Sequence, residues 1–466
     1  MIPYRPLGAT GLECHPLGFG CYRISDDNPV HADALGAYFE RGGNLIDTSA
    51  NYMDGESEVL VGRMLRNHAR DKVIVVTKGG YIQGRNMALA QQRNFPEVVR
   101  YGEGIWHAIH PEFLETQVRL SAERMQAGYI DVYLLHNPEY YLEDIAHHRP
   151  LGPADYDEFY RRVQSAFRFL ESEVAAGKIR WYGVSSNNYL SPASTSGHTS
   201  VARTLEAAEA AAANHHFRVV QLPMNLYEPG GALEPNNGGH TMLEFCREQG
   251  LGVLVNRPLN ASAGSGLIRL ADFLPPGGAA SGPGELREML RPLAEHEQKL
   301  VGELGGFLMG PGIAQTLLDI VPQLRSPAHW EQAAGPHVIR PIQSWLGQCR
   351  QNLSGRPEWE QWQDGFIRLI NAALESVQRF LQASQQAVSN QVRVRLAQAG
   401  YPPSGESLSR LALNVLLGLE GLSCVLVGMR RAEYVADAME AVDLDRVDSL
   451  SVLRAFSQME GPEGPA

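Results

Sequence analysis

Cysteine is scarce and shows no pairing pattern. The chain holds five, Cys14, Cys21, Cys246, Cys349 and Cys424, with no CxxC spacing. An odd, scattered set argues against a disulfide framework or a cysteine-based zinc site; no metal is expected, and a reducing, cytoplasmic setting is. No apolar run approaches the roughly 20 residues of a membrane-spanning helix. The opening MIPYRPLGATGLECHPLG lacks the basic and apolar regions of a secretory signal. Positive charge is also in deficit: 40 Lys and Arg against 52 Asp and Glu leave a formal net charge of −12. That argues against a broad nucleic-acid or membrane surface, but not against a local basic pocket for one phosphate. No nucleic-acid or membrane partner is expected, and the charge says nothing about oligomeric state.

The 466 residues, 44% hydrophobic and 20% charged, suit a globular chain of one large barrel with insertions or of two to three domains. Short apolar runs alternate with amphipathic ones. PLGFG ends near Gly20, NLID at Asp47, KVIVVTK at Lys78 and YIDVYLLH at His136. IRWYGVSS, FRVVQL, LGVLVNRPL and, far downstream, LSCVLVG follow. Helix patterns such as PEFLETQVRLSAERMQAG and SLSRLALNVLLGL stand between them. Eight strands alternating with helices predict an α/β fold, a (β/α)8 TIM barrel, with a doubly wound sheet as the weaker alternative.

The alternation breaks once. About 140 residues separate LVNRPL from the last helix and strand. The expected division is a barrel of residues 1–260 and 402–466 and a helical insertion of residues 261–401. The insertion opens on the Gly/Pro-rich FLPPGGAASGPGE. Trp359, Trp362, Phe366, Ile370, Leu374, Val377 and Leu381 then recur at helical spacing, a stripe expected to pack on other insertion helices or on the barrel. The segment GGYIQGRNMALAQQRNFPEVVRYGEGIWHAIH after Lys78 reads as a second long loop.

Four polar residues fall at or just beyond successive strand ends: Asp47, Tyr52, Lys78 and His136. In a βα barrel those ends face one pocket. Singly, each has a plain structural explanation: a turn cap, packing, a solvated strand end, a satisfied loop histidine. Together they make a coherent set. A lysine ammonium lowers a phenol's pKa from about 10, and a carboxylate keeps the lysine charged. Asp47–Lys78–Tyr52 is then a tuned proton donor or acceptor, and His136 can fix a substrate oxygen. Carbonyl reduction also needs a hydride, which no side chain supplies, so a cofactor is implied.

The segments GGNLIDTSANYMDGESEVLVGRML, VIVVTK, YIDVYLLH and GKIRWYGVSS resemble the aldo-keto reductases, over about residues 3–260 and 405–440. The resemblance implies a (β/α)8 barrel that binds NADP(H) without a GxGxxG unit, and none is found here. It makes Tyr52 the general acid/base, Lys78 and Asp47 its tuning pair and His136 the substrate-orienting residue. It places Gly20, Cys21 and Tyr22 near nicotinamide and substrate, and assigns Ser185 and Gln221 to the carboxamide. The asparagine usual after Ser185 is replaced by Ser186, with Asn187 next, leaving open which one substitutes. Asn256 stands where a stacking aromatic is usual. Pro258 and Leu259 fit the pyrophosphate segment. Arg430 and Arg431 fit a 2′-phosphate clamp, and Glu433 an adenine or ribose contact, whereas Ala438 replaces an expected asparagine. The insertion is expected to cover part of the active-site mouth. The expected function is NADP(H)-dependent carbonyl/alcohol oxidoreduction on an aldehyde, ketone or sugar. Its alternative is a catalytically silent NADP(H)-binding barrel acting as a sensor or assembly subunit.

Overall fold

The computed structural model describes residues 4–263, 266–273, 283–324 and 327–459. Eight parallel strands close into a barrel: β1 (Leu17–Gly20), β2 (Leu45–Asp47), β3 (Ile74–Gly79), β4 (Ile130–His136), β5 (Ile179–Ser185), β6 (Phe217–Pro223), β7 (Gly252–Asn256) and β8 (Cys424–Val427). Each pairs with the next in chain order, and β8 returns to β1 through Val425↔Leu17 and Val427↔Phe19. The runs read as continuously apolar because parallel strands are covered on both faces; every residue of β4 is buried. Alternate side chains point inward. Leu45, Ile74, Val76, Val132, Leu134, Val219, Leu254 and Leu426 thus form one interior cluster.

A short antiparallel pair, Arg5–Pro6 with Glu13–Cys14, precedes β1. Its turn brings Gly8, at φ +54°, so near Gly252 that a Cβ would sit 2.3 Å from the Gly252 nitrogen. Only glycine meets both demands. Helices follow the strands, among them Pro29–Glu40, Glu56–Leu65, Pro111–Met125, Pro153–Ala175, Val201–Ala211, Met242–Glu248 and Leu408–Leu417. Their starts are written locally. Thr241 and Glu244 form a reciprocal capping box, and Ser407 accepts from the Arg410 amide.

The segment after Lys78 departs from the loop expected there. It holds the helix Arg85–Arg93 and a three-stranded antiparallel sheet of Tyr81–Ile82, Ile105–His107 and Val99–Gly102. Gly102-Glu103-Gly104 supplies the hairpin turn, and the flanking Val, Tyr, Ile and Trp suit strands.

The chain divides into two compact units, one of Met1–Ala261 with Leu396–Glu460, the other centred on Ser262–Arg395. The second is helical, with Pro283–Leu304, Ile313–Ile320, Arg340–Leu353 and all but the last three residues of the 42-residue Pro357–Gln398. Most of FLPPGGAASGPGE, residues 274–282, lies outside the described residues. The spaced stripe is this unit's own core. Trp359, Trp362, Phe366, Ile370, Val377 and Leu381 are buried with Leu290, Leu300, Trp330 and Trp345, and Leu374 packs at the margin.

Candidate active site

At the C-terminal strand ends a lysine meets its partners. The Lys78 ammonium, wholly buried, donates to Asp47 Oδ2 at 2.8 Å, to the Thr48 carbonyl at 2.9 Å and to the Tyr52 hydroxyl at 3.2 Å. Three partners use its three donors. They offset a desolvation cost that an unpaired buried ammonium could not bear. Asp47 Oδ1 accepts from Gln221 Nε2 at 2.8 Å. Tyr52 returns over this pair because the turn Tyr52–Gly55 carries Met53 and Asp54 at φ 49° and 56°, reversing the chain. An aspartate tolerates that conformation better than most residues; Met53 does not.

Burial pushes the Asp47 carboxyl up and the Lys78 ammonium down, and each is opposed by the other's charge. The phenol runs against the expectation from sequence. Burial holds Tyr52 well above its ordinary value, and the Asp47 charge pushes the same way. Burial is the largest cause, so the resting phenol is protonated, a donor rather than an acidified group.

His136, at the end of β4, has Nδ1 3.0 Å from the Ser49 hydroxyl. Its ring stands edge-on to Tyr52 at 6.0 Å and to Tyr81 at 4.6 Å. Burial, then the Lys78 charge, then His107 hold it well below its usual value, so it is neutral. His107 Nε2 lies 2.7 Å from the His136 carbonyl. A carbonyl only accepts, so His107 donates there; burial pushes it down to about 4. Tyr22, 61% exposed, stands edge-on to Tyr52 at 5.3 Å. Gly20 pairs with Asp47 across β1 and β2, and the buried Cys21 donates its amide to the Asp47 carbonyl at 2.9 Å.

Ser185, Gln221 and Asn256, from β5, β6 and β7, are joined. Gln221 Oε1 accepts from Ser185 Oγ at 3.1 Å and from Asn256 Nδ2 at 3.2 Å. Asn256 Oδ1 is buried without a partner in the protein. Ser186 is fully turned inward, its hydroxyl 2.9 Å from that of Thr199. The half-buried Asn187 is the more accessible of the two. Pro258 is buried and Leu259 half-buried in the turn after β7. Arg431 stands at the N-terminal boundary of the helix Ala432–Met439 without a side-chain cap and lies 3.7 Å from Glu433, both exposed; Arg430 beside it is half-buried.

Reading from sequence missed Thr48, Ser49, Tyr81, His107 and Glu139. Thr48 and Ser49 were findable, since they lie between Asp47 and Tyr52. The others are placed only by tertiary folding. A cavity of about 390 Å³ lies in the helical unit, lined by Arg287, Arg291, Glu297 and Leu308 among others. It holds none of the strand-end groups.

Comparison with known proteins points to one family. The model of the aldo/keto reductase family matches residues 16–270. The "NADH-specific methylglyoxal reductase" of Escherichia coli K12 is 30% identical over 139 residues, 28% of this chain and 40% of that protein. An aldo-keto reductase of Bacillus subtilis, YhdN, is 27% identical over 191 residues, 40% of this chain and 47% of that protein. The chain thus spans less than half the length of either relative. An aldo-keto reductase of Bacillus halodurans, solved in its holo form, shares the fold at a TM-score of 0.51 and 16% identity, over 99% of each chain. With the family model covering more than half of its residues, the chain belongs to the aldo/keto reductase family of oxidoreductases.

Proposed function

We propose that the protein interconverts a carbonyl and an alcohol using NADP(H), with an aldehyde, ketone or sugar as substrate. The observation that carries this is the buried run Asp47–Lys78–Tyr52, at 2.8 and 3.2 Å, ending on a phenol. NADP(H), when bound, supplies or accepts the hydride. Tyr52 donates a proton from its hydroxyl to the substrate oxygen during reduction and takes it back during oxidation. Lys78 stabilises the phenolate left behind, and Asp47 keeps Lys78 charged while that happens. His136, neutral and braced by Ser49, orients the same oxygen.

The donor set fits the cofactor. The buried, unpartnered Asn256 Oδ1 is an acceptor suited to a carboxamide N–H, beside Ser185 and Gln221. Gly20, Cys21 and Asp47 flank that corner, and Asn187 takes the role that sequence left open between it and Ser186. Pro258 and Leu259 would adjoin the pyrophosphate. Arg430 and Arg431 would hold a 2′-phosphate, and Glu433 the ribose or adenine. The test is NADPH oxidation across aldehydes and ketones, paired with NADP⁺ reduction by aldoses. Turnover of any one class supports the reading. Tight NADPH binding with none turned over would instead support the silent NADP(H)-binding barrel.

A further inference from the structure

Three residues past His136, Glu139 precedes the helix Tyr140–His148 and is 0% exposed. Its Oε1 accepts the Asn187 amide N–H at 2.6 Å, while Oε2 is buried without a partner in the protein. The Asn137 amide donates to the Ser185 carbonyl at 2.7 Å. The segment after β4 is thereby fastened twice to the turn after β5, and the carboxyl backs onto Ser185–Asn187. Neither the proton path nor the hydride path uses it.

We propose that Glu139 is a positioning residue for the Ser185–Asn187 turn whose charge state sets the relative affinity of the site for oxidised and reduced cofactor. This rests on the reading that the turn holds the nicotinamide carboxamide. The oxidised ring is cationic and the reduced ring neutral, so a buried carboxylate nearby favours only the oxidised form. Burial pushes this carboxyl up to about 8; hydrogen bonds from backbone amides, its own and that of Asn187, work against that, and the Glu143 charge adds to it. The titratable groups acting on it are Glu143 and Tyr140 on its own helix, Tyr81 on the inserted sheet and Tyr189 after β5. None of these four is a cation, and the nearby His136 is neutral. The carboxyl is therefore uncharged at neutral pH and ionises above it. By linkage, the oxidised cofactor then binds with release of that proton.

The test measures NADP⁺ and NADPH dissociation constants by direct binding to the full chain, at about pH 6.5 and about pH 9.5. Phosphates common to both forms cancel in the ratio. For the wild type, Kd(NADPH)/Kd(NADP⁺) is expected to rise by about tenfold with pH. In Glu139→Gln it should stay at its low-pH value. A wild-type ratio that does not move with pH overturns the proposal, whether or not the variant folds. So does a pH dependence that survives in Glu139→Gln. If neither nucleotide binds, the cofactor reading falls, and this proposal with it.

Discussion

Each of the two units buries a carboxylate, and they use it differently. In the helical unit Glu297 accepts the amides of Ile313 at 2.6 Å and Ala314 at 3.0 Å, capping the helix that begins there. Its hydrogen-bonding capacity goes into holding the fold. The same holds for the rings around it. The indole N–H of Trp362 donates to the His296 carbonyl at 2.9 Å and that of Trp345 to the Phe307 carbonyl at 3.1 Å. In the barrel, Asp47 holds Lys78, and Lys78 in turn holds the hydroxyl of a half-buried phenol, a titratable group rather than a backbone one. Buried polarity that is spent on backbone groups makes structure; buried polarity that ends on a titratable tip makes chemistry.

The sharpest way to break that distinction is Tyr52→Phe. It removes one hydroxyl, which accepts from the Lys78 ammonium. Turnover should fall by roughly 10²–10⁴-fold, the usual worth of a placed acid/base, while NADPH still binds and the melting temperature barely moves. Near-wild-type turnover would remove Tyr52 from the mechanism. The opposite pattern is expected for Phe366→Ala. Phe366 is fully buried against Trp345 and Trp362. The cavity should cost about 3–5 kcal/mol of the helical unit's stability, read by denaturant unfolding or hydrogen exchange within residues 283–398. Nucleotide affinity should be unchanged.

Much of the barrel unit was legible because short apolar runs alternate with helix patterns, and several stop on a polar residue, as NLID does at Asp47 and YIDVYLLH at His136. Strand order then follows from alternation alone. The helical core was legible from the period of Trp359, Trp362 and Phe366. Three things were not. The hairpin Val99–His107 was hidden by its short strands and polar flanks. Glu139 looked like any loop acid, because burial of a loop is decided by what folds over it. The direction of the Tyr52 shift depends on desolvation, which no local spacing reveals.

Acid should also separate the buried groups by sign. His107 is held at about 4 against an ordinary 6.5. The unfolded chain therefore binds its proton first, so the contribution of His107 is complete above about pH 6.5 and is lost as pH falls toward about 4. In His107→Gln that loss disappears. The stability gap between variant and wild type should shift by roughly 3 kcal/mol over that window. Buried carboxyls work the other way. Glu139 and Glu297, both pushed up by burial, lose their contribution as pH rises. Only the difference between variant and wild type isolates the histidine. A gap independent of pH would mean that His107 is not held neutral.

The smallest expected effect tests whether the barrel's unspent charge extends to the helix after β8. Arg431 is half-exposed and only loosely paired, 3.7 Å from Glu433, and a cation at a helix N-terminus is unfavourable without an anion. If it meets the 2′-phosphate, Arg431→Ala should weaken NADPH binding by about tenfold, as loss of one charge-assisted hydrogen bond would. NADH binding should not change, because NADH carries no such phosphate. A wild type that binds both nucleotides equally, with a variant that does the same, would reduce Arg431 to a solvated surface pair. Salt provides the finer discrimination: at this exposure the preference for NADPH should shrink as ionic strength rises, whereas an affinity set by the buried Ser185–Gln221–Asn256 corner should hold.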